Sequence, residues 1–424
     1  MNEERVGGET PRAGEAGTTM VGGTAASSHL FSVYARQPVA LVRGAGAYVW
    51  DTEGRRYLDF VSGIAVNALG HAHPRLAEAI ATQASRLIHV SNLYQIPQQE
   101  ELAAELAELS GLDRFFFCNS GAEANELALK IARRWGWLHG KERPRVITLS
   151  GAFHGRTLAT LAATGNPHYM EGFGPALQGF DQVPVGDEEA LRAAIGPDTA
   201  ALLLEVIQGE GGVRELPADY LRAAEQICHE QGLLLLIDEV QTGLGRTGDW
   251  FAFQECGLRP DVVTMAKALA GGVPIGAVGA REEVAEVMTP GTHGSTFGGN
   301  PLAVVAALTV LNEMRGQSLP QRAREMGGRL RAGLEQLAAP AGLEVRGRGL
   351  LLGVCLSTDW PVGEAVAACR EAGLLVASAG ENVLRLLPPL IVGPEEVDEA
   401  LQILAGVFAQ RRLRAPVTQG EASA

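Results

Sequence analysis

The sequence has few cysteines, few aromatic residues and no long apolar run. Its five cysteines are odd in number and form no C-x-x-C pair, which argues against a disulfide framework and against a zinc site. A reducing, cytoplasmic compartment fits this cysteine usage best. No apolar run approaches the roughly 18 residues that a membrane helix needs, so we expect no membrane-spanning segment.

Basic residues are also in short supply. The 424 residues include 35 Lys and Arg against 49 Asp and Glu, which gives a formal net charge of −14. Nucleic acids and anionic membranes select clustered Lys and Arg, so this balance argues against both kinds of partner. A local cationic pocket for a small anion stays compatible with it. The 46% of hydrophobic residues is typical of a globular protein with a large core.

The chain starts with a segment that lacks the basic and apolar regions of a secretory signal. Residues 1–28 are acidic and rich in Gly, Ala and Thr, and we predict a disordered arm there. We expect residues 414–424 to form a flexible tail.

Short apolar runs alternate with longer helical patterns through the middle of the chain. Nearly unbroken hydrophobicity indicates strands that are buried on both faces, as in a parallel sheet covered by helices. The predicted strands are Arg114–Cys118, Arg145–Leu149, Ala200–Val206, Leu233–Ile237, Asp261–Met265 and Ile275–Val278. The predicted helices between them are Ala122–Arg134, Pro217–Gln231 and Pro301–Arg315. This alternation predicts a large, mainly parallel α/β/α domain over residues 70–315.

The two flanking segments follow another pattern. Residues 29–69 contain a predicted β meander, in which Ala47–Trp50 and Tyr57–Phe60 are joined by a turn. Residues 316–413 mix predicted helices with strands, namely Arg322–Leu337, Leu350–Leu356, Val362–Ala372, Val383–Leu387 and Glu395–Gln410. We expect both segments to pack together as one smaller α+β domain.

Polar features follow four of the predicted strands. They are Asn119–Gly121, Phe153–Arg156, Asp238 and Lys267. Taken alone, Asp238 is more often a helix cap or a loop residue, and Lys267 is more often a solvated loop residue. Carboxyl ends of parallel strands meet at one edge of a sheet, where α/β proteins bind ligands. Together the four features therefore predict a ligand site at this edge.

The residue types at this edge indicate particular chemistry. Desolvation lowers the pKa of a lysine and makes its amine a nucleophile, which would suit Lys267. Ser120 begins a helix whose free N–H groups fit a phosphate, although an ordinary capping box with Glu123 explains the pattern equally well. An aromatic ring and a guanidinium, such as Phe153 and Arg156, can hold a planar ring and a carboxylate.

Other polar residues have weaker patterns. Arg385 interrupts an apolar strand, where a carboxylate of the protein is a commoner partner than a substrate. Glu210 and the pair Ser295-Thr296 lie in Gly-rich stretches that are more typical of plain loops. His71 and His73 resemble half of a metal site, but no third ligand has suitable spacing, so we predict no metal.

Taken jointly, these motifs resemble those of class III aminotransferases, which use pyridoxal phosphate (PLP) on fold type I. The resemblance covers roughly residues 30–410 and includes the 29 positions that separate Asp238 from Lys267. Two residues depart from the family pattern: Val206 stands where Pro is usual, and Ala270 where Gly is common. The matching runs are Gly63–Pro74, Phe117–Glu126, Phe153–Gly165, Gln208–Val213, Leu236–Gly248, Pro260–Lys267, Gly272–Gly276 and His293–Ala303.

The resemblance implies a set of cofactor contacts. Lys267 would bind PLP covalently, and Asp238 would pair with the ring nitrogen and keep it protonated. Gln241 would bond the ring's phenolic oxygen, and Phe153 would stack on the ring. The further implied contacts are Ser120, Gly121 and Ala122 at the phosphate, with Glu239 and Val240 close to the ring.

The resemblance also implies substrate contacts and a homodimer with shared sites. Thr296 would reach the phosphate bound by the neighbouring subunit, and Ser295 would lie near that subunit's substrate. Arg385 would grip the α-carboxylate of glutamate or 2-oxoglutarate. Glu210 would neutralise Arg385 when an ω-amine is bound, while Arg156 would hold the distant carboxylate of that amine.

The implied activity is ω-amino transfer, with N2-acetyl-L-ornithine and 2-oxoglutarate as expected substrates in arginine biosynthesis. The alternatives left open are ornithine, 4-aminobutyrate or a carrier-linked lysine or aminoadipate-semialdehyde intermediate as amine donor. A PLP aminomutase and a non-catalytic PLP-binding regulator are further alternatives. We expect Val66, Asn67 and Asn92 to influence the choice of donor.

Overall fold

The computed structural model describes residues 29–414. The arm predicted over residues 1–28 lies outside the described residues, and so does the predicted tail beyond Arg414. Within the described range, no helix combines the length and the apolar character that crossing a membrane requires.

Ten of the seventeen strands in the described residues have bounds close to those predicted, and the other seven were not predicted. In chain order the seventeen strands are β1 (Leu41–Ala45), β2 (Tyr48–Asp51), β3 (Arg56–Asp59), β4 (Arg114–Cys118), β5 (Arg145–Leu149), β6 (Phe180–Val183), β7 (Thr199–Leu204), β8 (Ile207–Gln208), β9 (Arg214–Glu215), β10 (Leu234–Asp238), β11 (Val262–Met265), β12 (Gly276–Ala280), β13 (Glu344–Arg348), β14 (Leu351–Cys355), β15 (Leu374–Leu375), β16 (Ala377–Ala379) and β17 (Val383–Leu386).

The helices include every helix that the sequence predicts. They are α1 (Ser62–Ala65), α2 (Pro74–Arg86), α3 (Pro97–Ser110), α4 (Gly121–Leu138), α5 (Leu158–Thr164), α6 (Pro167–Met170), α7 (Glu188–Ala194), α8 (Ala218–Gln231), α9 (Ala252–Glu255), α10 (Glu282–Ala285), α11 (Pro301–Gly316), α12 (Leu319–Ala338), α13 (Val362–Glu371) and α14 (Pro394–Arg414), with 3-10 turns at Lys267–Ala270 and Ala339–Ala341. We did not predict α2 and α3, although each begins with the proline that is typical of a first helical position.

A seven-stranded sheet in the order β4-β12-β11-β10-β7-β5-β6 forms the centre of the molecule. It is mainly parallel, which confirms the predicted fold class, but β12 runs antiparallel to both of its neighbours. Because β12 lies between β4 and β11, these two strands still point the same way. The edge strand β6 was missed because its sequence FDQV has two polar residues between its apolar ends and is only partly buried.

The unbroken apolar strands are buried between two helical layers. Along β10, Leu235 and Ile237 belong to one hydrophobic cluster, whereas Leu234 and Leu236 belong to another. Successive side chains of a strand point to opposite faces, so both faces of β10 need apolar residues. Helix α4 supplies one cluster, and α8 and α11 supply the other.

The flanking segments share a second sheet. The order β1-β2-β3-β15 places a short C-terminal strand beside the N-terminal meander, and β15 pairs in parallel with β3. A further antiparallel sheet, β13-β14-β17-β16, is packed by α12. This pairing supports the predicted small domain, while the domain boundaries themselves stay a prediction.

We expect Leu236→Ala to lower the free energy of unfolding by about 2–5 kcal/mol, because the lost side chain leaves a cavity that packed neighbours fill only in part. Leu236 is fully buried and pairs with Leu203 and Val262. Denaturation in urea measures the change. The exposed Leu413 provides the control, and its replacement by Ala should alter stability by less than about 0.5 kcal/mol. Equal stability of the two variants would contradict this account of the sheet.

Candidate active site

A cavity of about 450 Å³ opens at the carboxyl edge of the central sheet. It lies where β4, β5, β10 and β11 end, and all four polar features predicted for this edge line it. The structure therefore brings together segments that are about 150 residues apart in sequence. The residues that line it from these segments are Asn119, Ser120, Gly121, Phe153, His154, Gly155, Arg156, Asp238 and Lys267.

Asp238 is a buried carboxylate at the end of β10, with 3% of its surface exposed. It is neither a helix cap nor a surface residue, the two ordinary explanations of its position. One oxygen accepts hydrogen bonds from Asn125 Nδ2 at 2.7 Å and from His154 Nδ1 at 2.8 Å. The other accepts from the main-chain N–H of Val240 at 3.0 Å. These bonds compensate the loss of water around the charge.

His154 holds Asp238 from the loop that follows β5. Burial lowers the pKa of this imidazole, but the hydrogen bond and the charge of Asp238 outweigh burial and raise the pKa above its ordinary value. Nε2 of His154 is buried and has no partner in the described residues. The bond to Asp238 thus assigns the proton to Nδ1.

Asn125 is a site residue that we did not predict. Its Nδ2 also donates to the carbonyl of His154 at 2.8 Å, and its Oδ1 accepts from Thr264 Oγ1 at 2.7 Å. The sequence contained a signal for it, because Asn125 lies four positions after Gly121 and so on the same face of α4. A polar residue on that buried face needs partners, and Asp238 is one of them.

Lys267 lies two residues after the end of β11 and lines the cavity. Its backbone adopts a positive φ of 40° at the start of a 3-10 turn. Burial lowers the pKa of its amine to about 8, although the nearby charge of Glu210 opposes this effect. The amine has no hydrogen-bond or ion-pair partner among residues 29–414. It is therefore available as a nucleophile near neutral pH.

The start of α4 offers an anion site beside Lys267. Ser120 caps the helix, and its Oγ accepts from the N–H of Glu123 at 3.2 Å. Glu123 reaches back to the N–H of Asn119 at 2.5 Å, one residue earlier than in the predicted capping box. Gly121 is required here, because a Cβ would lie 2.6 Å from Val240. The free N–H groups of the first turn face the same cavity.

Arg385, on β17, lies beside the cavity and is only 2% exposed; its partners Glu210 and Gln241 line the cavity. Its Nη1 donates to Glu210 Oε1 at 2.6 Å, to Gln241 Oε1 at 3.0 Å and to the carbonyl of Gly209 at 3.2 Å. Burial raises the pKa of Glu210, but the positive charge of Arg385 and its hydrogen bond bring the pKa below its ordinary value. Nε of Arg385 has no partner in the described residues.

Arg156 is the second guanidinium of the site and the more exposed one. Its Cζ lies 3.7 Å from the ring centre of Tyr169 and 5.7 Å from that of Phe153. No carboxylate among the described residues pairs with it. Sequence reasoning missed Tyr169, because nothing in its local pattern connects it with the strand ends.

Several residues implied by the resemblance lie elsewhere. Ser295 and Thr296 line a separate cavity, and Thr296 is exposed. The carboxylate of Glu239 is turned away from the first cavity and accepts from Thr242 Oγ1 and the N–H of Phe253. Its neighbours Val240 and Gln241 do line the cavity. The geometry thus lends no support to a cofactor contact by the Glu239 side chain.

The residues expected to influence the donor are also spread out. Val66 lines the first cavity, whereas Asn92 lines the one that contains Ser295. The family departures Val206 and Ala270 are buried and line neither cavity.

The two histidines considered for a metal have other partners. His71 Nε2 lies 2.7 Å from Asp59 Oδ2, and His73 Nε2 lies 3.7 Å from Glu313 Oε2. Within residues 29–414, no group of three or more His, Cys, Asp or Glu residues is arranged to hold a metal ion.

The groups in the first cavity fit PLP, the cofactor implied by the resemblance. An unpartnered lysine amine, a buried carboxylate that is held by an imidazole, and free N–H groups at a helix start are the three features that its aldehyde, ring nitrogen and phosphate need. The volume of about 450 Å³ is ordinary for a cofactor site.

We expect the amine of Lys267 in the cofactor-free protein to become reactive as the pH rises through about 8. The uncharged form predominates above the pKa, and burial has lowered that pKa from the ordinary value near 10.4. Competitive labelling with acetic anhydride, read by mass spectrometry at a series of pH values, measures the midpoint. Lys141, which is partly exposed and lies outside the cavity, is the reference. A midpoint for Lys267 at pH 10 or above would contradict the effect of burial.

Comparison with known proteins gives one family. The profile of the family described as "Aminotransferase class-III" matches residues 31–408. Acetylornithine aminotransferase 1 of Bordetella bronchiseptica is 52% identical over 388 residues, which are 91% of this chain and 98% of that protein. The acetylornithine aminotransferase of Gloeobacter violaceus is 52% identical over 394 residues, 92% of this chain and 97% of that protein.

Solved structures agree with this result. The ornithine aminotransferase from Toxoplasma gondii ME49 superposes with a TM-score of 0.88 at 36% identity, over 91% of this chain and 93% of that one. The N-acetylornithine aminotransferase from Stenotrophomonas maltophilia K279a gives a TM-score of 0.78 at 38% identity, over 90% and 98%. The protein therefore belongs to the class III aminotransferase family and has its fold type I architecture.

Proposed function

We propose that the protein is a PLP-dependent ω-aminotransferase of arginine biosynthesis. It converts N2-acetyl-L-ornithine and 2-oxoglutarate to N-acetyl-L-glutamate 5-semialdehyde and L-glutamate. The observation that carries this proposal is the ion pair of 2.6 Å between Arg385 and Glu210, because Glu210 lines the same cavity as Lys267. A carboxylate that can neutralise the substrate arginine lets one pocket serve two chemically different amines.

Different residues of the cavity contact different parts of the cofactor. Bound PLP supplies an electrophilic aldehyde and a ring that accepts electrons. With PLP bound, the carboxylate of Asp238, supported by His154, would accept a hydrogen bond from the protonated ring nitrogen and keep the proton there. The N–H groups of Gly121 and Ala122 would hold the phosphate, with Ser120 beside them. Phe153 and Val240, which line the cavity, would be neighbours of the ring, and Gln241 would bond its phenolic oxygen.

Lys267 acts as the base and the acid of the reaction. Burial lowers the pKa of its amine to about 8, so the uncharged form predominates once the pH exceeds that value. With PLP bound, Nζ would remove a proton from the substrate carbon that bears the transferred nitrogen. The same Nζ would hold that proton and give it back to complete the transfer, a task that suits a group with a pKa near the working pH.

The pair of Glu210 and Arg385 adapts the pocket to each substrate. The α-carboxylate of glutamate or 2-oxoglutarate binds Arg385, and Glu210 releases it. An ω-amine presents only a methylene chain there, so Glu210 remains paired and no buried charge is left alone. Arg156, which has no carboxylate partner in the described residues, holds the distant carboxylate of the amine donor.

The acetylated donor fits the charges of the cavity better than ornithine does. The acidic residues that line it are Glu205, Glu210 and Asp238, and all three already accept hydrogen bonds. A free α-ammonium group near Arg156 would therefore meet a like charge and no free carboxylate. Curated relatives at 52% identity carry the name acetylornithine aminotransferase. Ornithine remains the second candidate because of the TM-score of 0.88 with an ornithine aminotransferase.

We also propose a homodimer in which Thr296 completes the neighbouring site. The surface around Thr296 exposes large apolar side chains, with Leu93 85% and Phe297 61% exposed. A hydrogen bond joins two segments of this surface: Asn92 Nδ2 donates to the carbonyl of Gly298 at 2.9 Å. Contiguous apolar surface of this kind marks a protein interface. A cytoplasmic location is consistent with cysteines that all remain unpaired.

Replacing Lys267 by Ala should abolish both the near-visible absorbance of the bound cofactor and nearly all turnover, with a loss on the order of 10³-fold or more. The variant removes the covalent attachment and the proton carrier together. Absorbance spectra and steady-state rates measure the two effects. Lys141→Ala is the matched control, since Lys141 is partly exposed and lies outside the cavity. Normal transamination by the Lys267 variant would refute the proposed function.

A panel of half-reactions tests the choice of donor. The PLP-loaded protein is mixed separately with N2-acetylornithine, ornithine, 4-aminobutyrate and glutamate, and the loss of cofactor absorbance gives a second-order rate constant for each. We expect acetylornithine to react at least about tenfold faster than ornithine, because the α-ammonium of ornithine lacks a counter-ion; tenfold corresponds to about 1.4 kcal/mol. Faster conversion by ornithine or 4-aminobutyrate would make the proposed donor wrong.

A further inference from the structure

Glu205 is a buried carboxylate of the cavity to which none of the roles above gives a task. It follows the last residue of β7 and is 6% exposed. Its Oε1 accepts from the N–H of Phe153 at 2.9 Å, and its Oε2 accepts from the N–H of Gly209 at 3.2 Å. Both oxygens thus hold main-chain groups rather than side chains.

The two N–H groups belong to different loops. The first loop follows β5 and carries Phe153 and Arg156. The second follows β8 and carries Glu210 directly after Gly209. Because Glu205 accepts one bond from each, its carboxylate ties the two loops together.

Gly209 also contacts Arg385. Its carbonyl accepts from Arg385 Nη1 at 3.2 Å, next to the bond of 2.6 Å between Arg385 and Glu210. The loop is also tightly packed at this point, because a Cβ on Gly209 would lie 2.2 Å from Gln241 Oε1. A contact path therefore runs from Glu205 through Gly209 to the guanidinium of Arg385.

Burial of the Glu205 carboxylate is unfavourable for its charged form. Burial raises the pKa of its carboxyl to about 7, and the charge of Asp238 adds to this rise. His154 and the two main-chain bonds oppose it, and Lys267 is the other charged group that senses Glu205. Strongly perturbed carboxyl groups in a cleft are typical of functional positions.

We propose that Glu205 is a positioning residue that holds the Glu210–Arg385 pair closed and thereby sets the balance between ω-amine donors and dicarboxylate substrates. The inference rests on the proposed function, since it assigns a task within the same site. An ω-amine donor needs the closed pair, and glutamate needs the open one. Loosening the loop at Gly209 therefore penalises the donor and favours the dicarboxylate.

Two variants separate the effect of the side-chain length of Glu205 from the effect of its charge. Glu205→Gln keeps the shape but presents an amide donor to one of the two N–H groups, and Glu205→Asp keeps the charge but is too short to hold both. We expect either variant to lower the ratio of the acetylornithine to the glutamate half-reaction rate constant by about tenfold. The second variant also serves if the first does not fold.

Asp51→Asn is the matched control. The Oδ1 of Asp51 likewise accepts from two main-chain N–H groups, those of Glu53 and Arg55, but Asp51 lies in the β meander and does not line the cavity. This variant should retain the wild-type ratio even where its stability is lower.

Binding of glutarate provides a readout that involves no turnover. Glutarate is a dicarboxylate that cannot be transaminated, and it must open the pair to reach Arg385. Calorimetric titration of the cofactor-loaded protein should show several-fold tighter binding to both Glu205 variants than to the wild type or to the Asp51 variant.

The outcomes distinguish this inference from the proposed function. If the wild-type protein reacts with neither acetylornithine nor glutamate, the proposed function fails. If the wild type reacts with both and the Glu205 variants keep its ratio and its glutarate affinity, the function stands and the positioning role is wrong. A wild-type ratio for Glu205→Asp together with a changed ratio for Glu205→Gln would assign the effect to charge and would also overturn the positioning role.

Discussion

The carboxylate of Asp238 is the charge around which the site is organised. It ends an apolar strand, and an unpaired charge buried there would destabilise the fold strongly. His154, Asn125 and the N–H of Val240 compensate it. Each partner comes from a different strand end or helix start, so satisfying this one charge brings together the loops that hold the cofactor.

A second buried charge imposes a different constraint. Arg385 lies beside the cavity on the sheet that contains β17, and its partner Glu210 lies 175 positions earlier in the chain. In the proposed function, closing that pair competes with the binding of a substrate carboxylate. Selection between substrates would then depend on how firmly Glu210 is held, which would make the loop around Gly209 part of substrate recognition.

Local pattern was enough to predict the central sheet and the four strand ends that form the cavity. Unbroken apolar runs reveal strands such as β10, and residues after their carboxyl ends must lie together. The antiparallel direction of β12 was not predictable, because direction depends on the connection and not on the strand's own composition. Asn125 was missed although it shares a face of α4 with Gly121, and Tyr169 was missed because nothing in its local pattern connects it with the strand ends. The pairing of Arg385 with Glu210 came from family resemblance alone.

The parallel pairing of β15 with β3 has a consequence for the order of events during protein synthesis. Leu58 of β3 lies opposite Leu374 of β15, so the ribosome has translated most of the chain before that edge can be covered. Until then the N-terminal meander exposes an unpaired strand edge, a surface that favours association with other chains. The central sheet, whose strands lie between β3 and β15 in the sequence, can fold while the edge of β3 is still unpaired. The meander is therefore the segment for which we expect a chaperone to matter most.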